Sequence, residues 1–108
     1  MKTIIYGLAV FVAAMSIAHA ECVPVKYRET CVPVEKLECK KTVSSFVNEV
    51  CYDAKNSYMV ILLRTTWYHY CGIPQETVTA LEQGDVGRYY NSQVKGKFGC
   101  QGQPVPSY

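Results

Sequence analysis

Three stretches in the middle of the chain carry the hydrophobic patterns of strands. Between Val43 and Tyr52 the alternation is imperfect, with Phe46, Val50 and Tyr52 on one face and Val47 and Cys51 on the other, and this period of two suits a first strand. Tyr58-Met-Val-Ile-Leu-Leu63 is apolar at every position, which predicts a strand covered on both sides and therefore the middle of the sheet. From Thr66 to Cys71 the side chains sort again, Thr66, Tyr68 and Tyr70 to one side and Trp67, His69 and Cys71 to the other. Asp53 to Ser57 and the pair Arg64-Thr65 supply the turns. The pattern predicts a three-stranded antiparallel β-meander.

After Pro74 the apolar spacing lengthens. Glu76 near the positive end of a helix dipole and Val78 and Leu81 at i,i+3 spacing predict a first short helix closing at Gly84. Asp85 is placed to cap a second, in which Val86, Tyr90 and Val94 recur every four residues beside Tyr89 until Gly96 ends it. A glycine inside a helix costs about 1 kcal/mol against alanine, so Gly87 implies a close packing contact. The expected fold class is α+β, a meander followed by two short helices.

The flanks are of a different character. Residues 1–20 read as a secretory signal peptide, with Lys2 as the charged start, an apolar run from Ile4 to Ile17, and Ala18 and Ala20 before a mature start at Glu21. That apolar run falls short of the ~20 residues of a membrane span, so no anchor is expected after cleavage. Residues 21–42 form an arm rich in Cys and Pro that contains a two-copy repeat of period nine, CVPVKYRET then CVPVEKLEC. Its prolines favour an extended, irregular course with edge-strand character. It reads either as a wrap stapled to the domain or as an arm that adds to a partner's sheet. Residues 43–100 are the domain proper, and 101–108, with Pro104 and Pro106, read as a flexible tail.

All six cysteines, Cys22, Cys31, Cys39, Cys51, Cys71 and Cys100, follow the leader, and an even count in a short exported chain predicts a disulfide framework. Six cysteines allow fifteen pairings. The first three cannot all pair among themselves, so at least one bridge should join arm to domain. With no Cys-x-x-Cys spacing and His69 as the one histidine past the leader, no zinc site, redox motif or cofactor is expected. Without Lys2 there are ten Lys and Arg against nine Asp and Glu, a net charge of +1, which lacks the basic excess of nucleic-acid or anionic-membrane binders.

Nor is a catalytic constellation visible. There is no nucleophile motif or phosphate-cradling loop, and Asp53, Glu76, Glu82 and Asp85 stand where carboxylates cap turns and helices. The protein is expected not to be an enzyme. The positive case rests on aromatic and basic residues, and the candidate surface for a protein, glycan or small-molecule partner is Trp67, His69, Arg88, Lys95 and Lys97. His69 is expected at the surface. Tyr68 and Tyr70 are expected in the core between sheet and helices, the other reading being a stacking platform. An accessory envelope protein without a small ligand is the competing function.

Ser44-Ser45, Tyr52-Asp53, Tyr68-His69-Tyr70, Pro74, Gly87, Tyr90-Asn91, Val94 and Lys95-Gly96 together resemble the pattern of the KTSC domain family, named for the C-terminus of some lysyl-tRNA synthetases. The resemblance runs from about Ser44 to Phe98, and its most specific part is Tyr-x-Tyr leading to an apolar residue and Pro, joined to the later Gly-x-Tyr-Tyr-Asn. It implies a small α+β domain in which Tyr52, Tyr68, Tyr70, Pro74, Gly87, Tyr90 and Asn91 are structural. The synthetase context attaches a suggestion of RNA binding. Asp85 stands where the family usually has Ser, a change that preserves the cap. Cys51 stands where Gly is frequent, and Cys71 follows the tyrosine motif directly. With the leader, these features mark an exported, disulfide-bonded branch, to which RNA binding transfers poorly.

Overall fold

The computed structural model describes residues 22–108. The leader and the mature start at Glu21 lie outside the described residues. Strands β1 (Cys22–Val23) and β2 (Val32–Pro33) form a small hairpin, and β3 (Glu38–Lys41), β4 (Val47–Asp53), β5 (Tyr58–Leu63) and β6 (Thr66–Cys71) form the main sheet. Helices α1 (Gln75–Gln83) and α2 (Val86–Tyr89) follow, α2 continuing through a π-helical segment, Tyr90–Val94.

The predicted meander is present as β4, β5 and β6, paired antiparallel with Tyr58 opposite both Asp53 and Cys71. The sheet, however, has four strands in the order β3-β4-β5-β6, not three. The additional strand comes from the arm. Every side chain of Glu38, Cys39, Lys40 and Lys41 is exposed, so this strand buries no apolar face and leaves no alternation to read. Backbone pairing to β4 holds it, and Cys39 lies opposite its disulfide partner Cys51 in that ladder.

Strand β5 is covered on both faces, as its saturated pattern requires. Met59 and Ile61 join a core with Val50, Tyr52, Tyr70, Ile73, Val78, Leu81, Val86, Tyr90 and Val94. Tyr58 and Val60 join a second cluster with Val23, Val25, Val32, Val34, Leu37, Cys51 and Cys71. The sheet is thus sandwiched between the helices on one side and the N-terminal arm on the other. The two-faced sorting of β4 needs one correction: Val47 lies with Val50 and Tyr52, not with Cys51. Val47 pairs with Leu63 while Glu49 pairs with Leu62, so Asn48 is an extra residue in a β-bulge, and a bulge resets which face the following side chains take.

On the helical side the caps fall where the sequence places them. Asp85 accepts a hydrogen bond from the backbone N–H of Arg88 at 3.2 Å, and Gly96, at φ +76°, occupies the left-handed region past the last turn. Tyr52 donates its hydroxyl to the carbonyl of Ile73 at 2.7 Å, tying β4 to the segment that enters α1. Gly87 is the close contact its position implies: a Cβ there would stand 3.0 Å from Phe46 Cε1 and 3.2 Å from Ser44 Oγ. Ser44 cannot yield easily, because the same oxygen accepts from the N–H groups of Phe46 and Val47. Gly87→Ala should therefore destabilise by roughly 1–2 kcal/mol, an overpacking cost of about 2–3 kcal/mol less the ~1 kcal/mol gain in helix propensity. Urea denaturation checks this, and an unchanged or raised midpoint would remove the packing argument.

Three disulfides, Cys22–Cys31, Cys39–Cys51 and Cys71–Cys100, pair all the cysteines. The first closes the β1–β2 hairpin, the second joins arm to sheet, and the third fixes the root of the tail. Such a framework fits an oxidising compartment. Among the described residues no helix is long and apolar enough to cross a membrane.

Candidate functional site

The sheet's two edges are treated differently. On the β4 side the arm supplies a whole strand. On the β6 side it supplies one residue: Val25 forms a parallel bridge with Trp67, and the N–H of Lys26 donates to Trp67 O at 2.9 Å. Tyr27 then takes φ +70°, and Arg28 N–H turns back to Val25 O at 3.1 Å. Further along the edge, Cys71 N–H donates to Phe98 O at 2.9 Å. Backbone groups of a strand reverse direction with each residue, so His69, two positions from both Trp67 and Cys71, also directs its N–H and C=O outward. Neither has a hydrogen-bond partner among the described residues.

A cleft of about 830 Å³ opens over this stretch, between the arm at Tyr27–Thr30 and the segment from Gly96 to Val105. Tyr27, Tyr68, Tyr70 and Phe98 give it aromatic walls, with His69 and Arg28 as polar groups. Tyr70 is its buried floor, 9% exposed, and hydrogen-bonds through its hydroxyl to that of Tyr90. Desolvation, with that bond and the neighbouring Tyr90 and Tyr68, pushes the Tyr70 hydroxyl far above the ordinary tyrosine range. Tyr27 is 81% exposed at the mouth, and the Lys26 ammonium stands 5.5 Å from its ring and 5.8 Å from that of Tyr68.

Behind the cleft, arm and tail meet on a polar network. Arg28 donates to the carbonyls of Thr30 (2.9 Å) and Pro106 (2.8 Å) and to the hydroxyl of Tyr58 (3.3 Å), with its guanidinium over the rings of Tyr58 and Tyr108. Tyr108 donates to Asp53 at 2.6 Å, which anchors the chain end. Burial works to raise the Asp53 carboxyl, but the hydrogen bonds from Tyr108 and Asn56 outweigh it and hold the group below the usual range. Arg28 fills an acceptor position on the Tyr58 oxygen, and because Tyr58 is 1% exposed the arrangement that leaves its hydroxyl proton paired has it donating to His69 Nδ1, 2.9 Å away. His69 is therefore the Nε2–H tautomer, with its one ring acceptor occupied.

Desolvation first, and the Arg28 charge second, hold the His69 pKa below 6.5. The folded state then binds its proton less readily than the unfolded one. The stability owed to neutral His69 is complete above the unfolded pKa and is lost as pH falls through the folded value. A proton NMR titration should place the His69 transition below 6.5, and Arg28→Gln should move it upward. A transition at or above 6.5 in the wild type would contradict the network.

The residues singled out from sequence do not form one surface. Trp67 is half-buried against the arm-side cluster, and His69 bonds Tyr58 on the same face. Arg88 is on α2, across the sheet, exposed and 3.7 Å from Asp85. Lys95 and Lys97 are exposed and flank Gly96 of the cleft wall, so these two, with His69, belong to one region and Arg88 to another. Pro74 and Asn91 are exposed, while Tyr52, Gly87 and Tyr90 are buried. Sequence reasoning missed Tyr27, Arg28 and Phe98. One signal was present: the two copies of the arm repeat agree at Cys-Val-Pro-Val and diverge at Lys26-Tyr27-Arg28 against Glu35-Lys36-Leu37. Leu37 is ordinary core, and Arg28 is the hub of the network. Cys39, Glu49 and Cys51 bring metal-binding atom types within 4.8 Å of one another, but both sulfurs are spent in a disulfide and offer no thiolate.

No curated protein matches the chain. Among solved structures it is similar to the crystal structure of a KTSC domain protein from Yersinia pestis, with 25% sequence identity and a TM-score of 0.53 over 57% of this chain and 90% of that one. Residues 43–98 match the family model of the KTSC domain. That span holds β4 to β6, both helices, and the Tyr68, Tyr70 and Phe98 walls of the cleft, and the chain belongs to the KTSC domain family.

Proposed function

We propose that this KTSC protein is a small, non-catalytic binding module, secreted or periplasmic, that takes its ligand in the cleft at the β6 edge. The observation that carries the reading is the cleft itself: about 830 Å³, aromatic on several sides, with a few convergent polar groups, the usual composition of a ligand site. Absence of chemistry is supported by the same residues. The cysteines are bridged and offer no thiolate, and the one hydroxyl bonded to the His69 ring, that of Tyr58, belongs to a side chain only 1% exposed, which gives a substrate little access to that pair. The near-neutral net charge weighs against RNA as the ligand.

The test is a screen of labelled protein against chemically distinct probes: monosaccharides, aromatic fragments, capped peptides and single-stranded RNA. Perturbation of the amides of Tyr68 to Cys71 and Phe98 by one class is the expected result. If every probe leaves those amides unmoved at millimolar concentration, the cleft is not a binding site and the accessory structural role takes its place.

A further inference from the structure

Besides polar side chains such as Arg28, Glu29 and Gln103, the cleft holds backbone groups of the sheet edge. His69 presents an outward N–H and C=O with no partner among the described residues, between one hydrogen bond at Trp67 and another at Cys71. A strand continuing the arm's course would offer the carbonyl of residue 26 to His69 N–H and the N–H of residue 28 to His69 O. The left-handed turn at Tyr27 prevents this by sending Arg28 N–H back to Val25. The edge is therefore closed at both ends and open at its centre, over an interval of ~13 Å at 3.3 Å per residue.

We propose that this gap takes a short extended peptide with an acidic flank, which adds to β6 as a local strand. The inference rests on the cleft being a ligand site and names its ligand class. Main-chain bonds to His69 would provide the pairing, and side chains alternating to either face would meet Tyr68 and Phe98 on one side and His69 on the other. The acidic flank follows from charge. Arg28 lines the cleft, the exposed Lys26 stands at its mouth, and Lys95 and Lys97 flank Gly96, while Glu29 is the one acid among the lining residues. A sugar or an aromatic fragment could stack on the walls and a hydroxyl could meet either His69 group, but an extended main chain carries a carbonyl and an N–H at the ladder spacing that pairs both at once.

The probe is a library of acetylated, amidated pentapeptides randomised at every position. Selected binders should carry Asp or Glu near one end, and at saturation the His69 amide should exchange at least ~10-fold more slowly, as expected when an open N–H gains a protected partner. N-methylation scanned along a binder should abolish binding at one position, the residue whose N–H pairs with His69 O, and be tolerated at its two neighbours, whose N–H groups point away from the edge. Lys26→Glu with Lys97→Glu should weaken binding at least ~5-fold through charge reversal at the rim. Binders that leave His69 exchange unchanged, or that tolerate N-methylation throughout, overturn strand addition. If no peptide binds while a sugar, fragment or RNA perturbs the cleft, the peptide proposal falls and the binding site stands. Only silence from every class removes both.

Discussion

Tyr70→Ala is expected to lower stability by about 3–5 kcal/mol, the usual cost of deleting a large buried aromatic, and in a domain this small that is a large share of the total. Tyr70 is 9% exposed, packs edge-to-face against Tyr90 with ring centroids 6.1 Å apart, and shares a buried hydrogen bond with it. Tyr68, two residues away on the same face, is half-buried and lines the cleft, so Tyr68→Ala should cost about 1 kcal/mol, in the range of partly exposed sites. The hydroxyl can be separated from the ring. Tyr70→Phe leaves the Tyr90 hydroxyl buried without its partner, a loss of about 1–3 kcal/mol. Adding Tyr90→Phe should cost little more, because both unpaired groups are then gone. Urea midpoints of the four variants decide it. Equal effects for Tyr68→Ala and Tyr70→Ala would show that the two rings do not differ in depth as described.

How far the sequence discloses this molecule depends on whether side-chain burial or backbone geometry decides each part. The meander, the two-sided burial of β5, the Asp85 cap and the contact at Gly87 all follow from side-chain pattern, and the structure has each of them. Strand β3 does not, because its side chains are all exposed and only its main chain pairs. The bulge at Asn48 is likewise a backbone event, and it moves Val47 to the opposite face from the one alternation assigns. The cleft depends on the same kind of information. It is shaped by a positive φ at Tyr27 and by the approach of residues 96–105 to β6, contacts made between chain ends far apart in sequence. Trp67, His69 and Arg88 were conspicuous by residue type alone, yet type cannot tell that the sheet separates Arg88 from the other two.

The Cys71–Cys100 bridge should be the most stabilising of the three, since it closes the longest loop. The sequence separation is 29 residues, against 12 for Cys39–Cys51 and 9 for Cys22–Cys31. On the chain-entropy account, loops of these lengths correspond to about 3.6, 2.8 and 2.6 kcal/mol respectively. The paired variant Cys71→Ala with Cys100→Ala should therefore show the lowest denaturation midpoint. Its effect should also reach the cleft. Cys71 is the last residue of β6, its N–H is bonded to Phe98, and Cys100 lies in the segment that forms the second wall. Without the bridge, that wall is held by Phe98, by the Arg28 bond to Pro106 and by the Tyr108 bond to Asp53. The last two involve part-buried or exposed groups, and bonds so placed contribute little each against the entropy of ordering a tail. Amide exchange from Gln101 to Tyr108 should therefore accelerate in this variant under conditions where β4 and β5 remain protected, whereas Cys22→Ala with Cys31→Ala should leave the tail unchanged. A tail that stays protected without Cys71–Cys100 would show that the Arg28 network, and not the disulfide, sets the cleft's second wall.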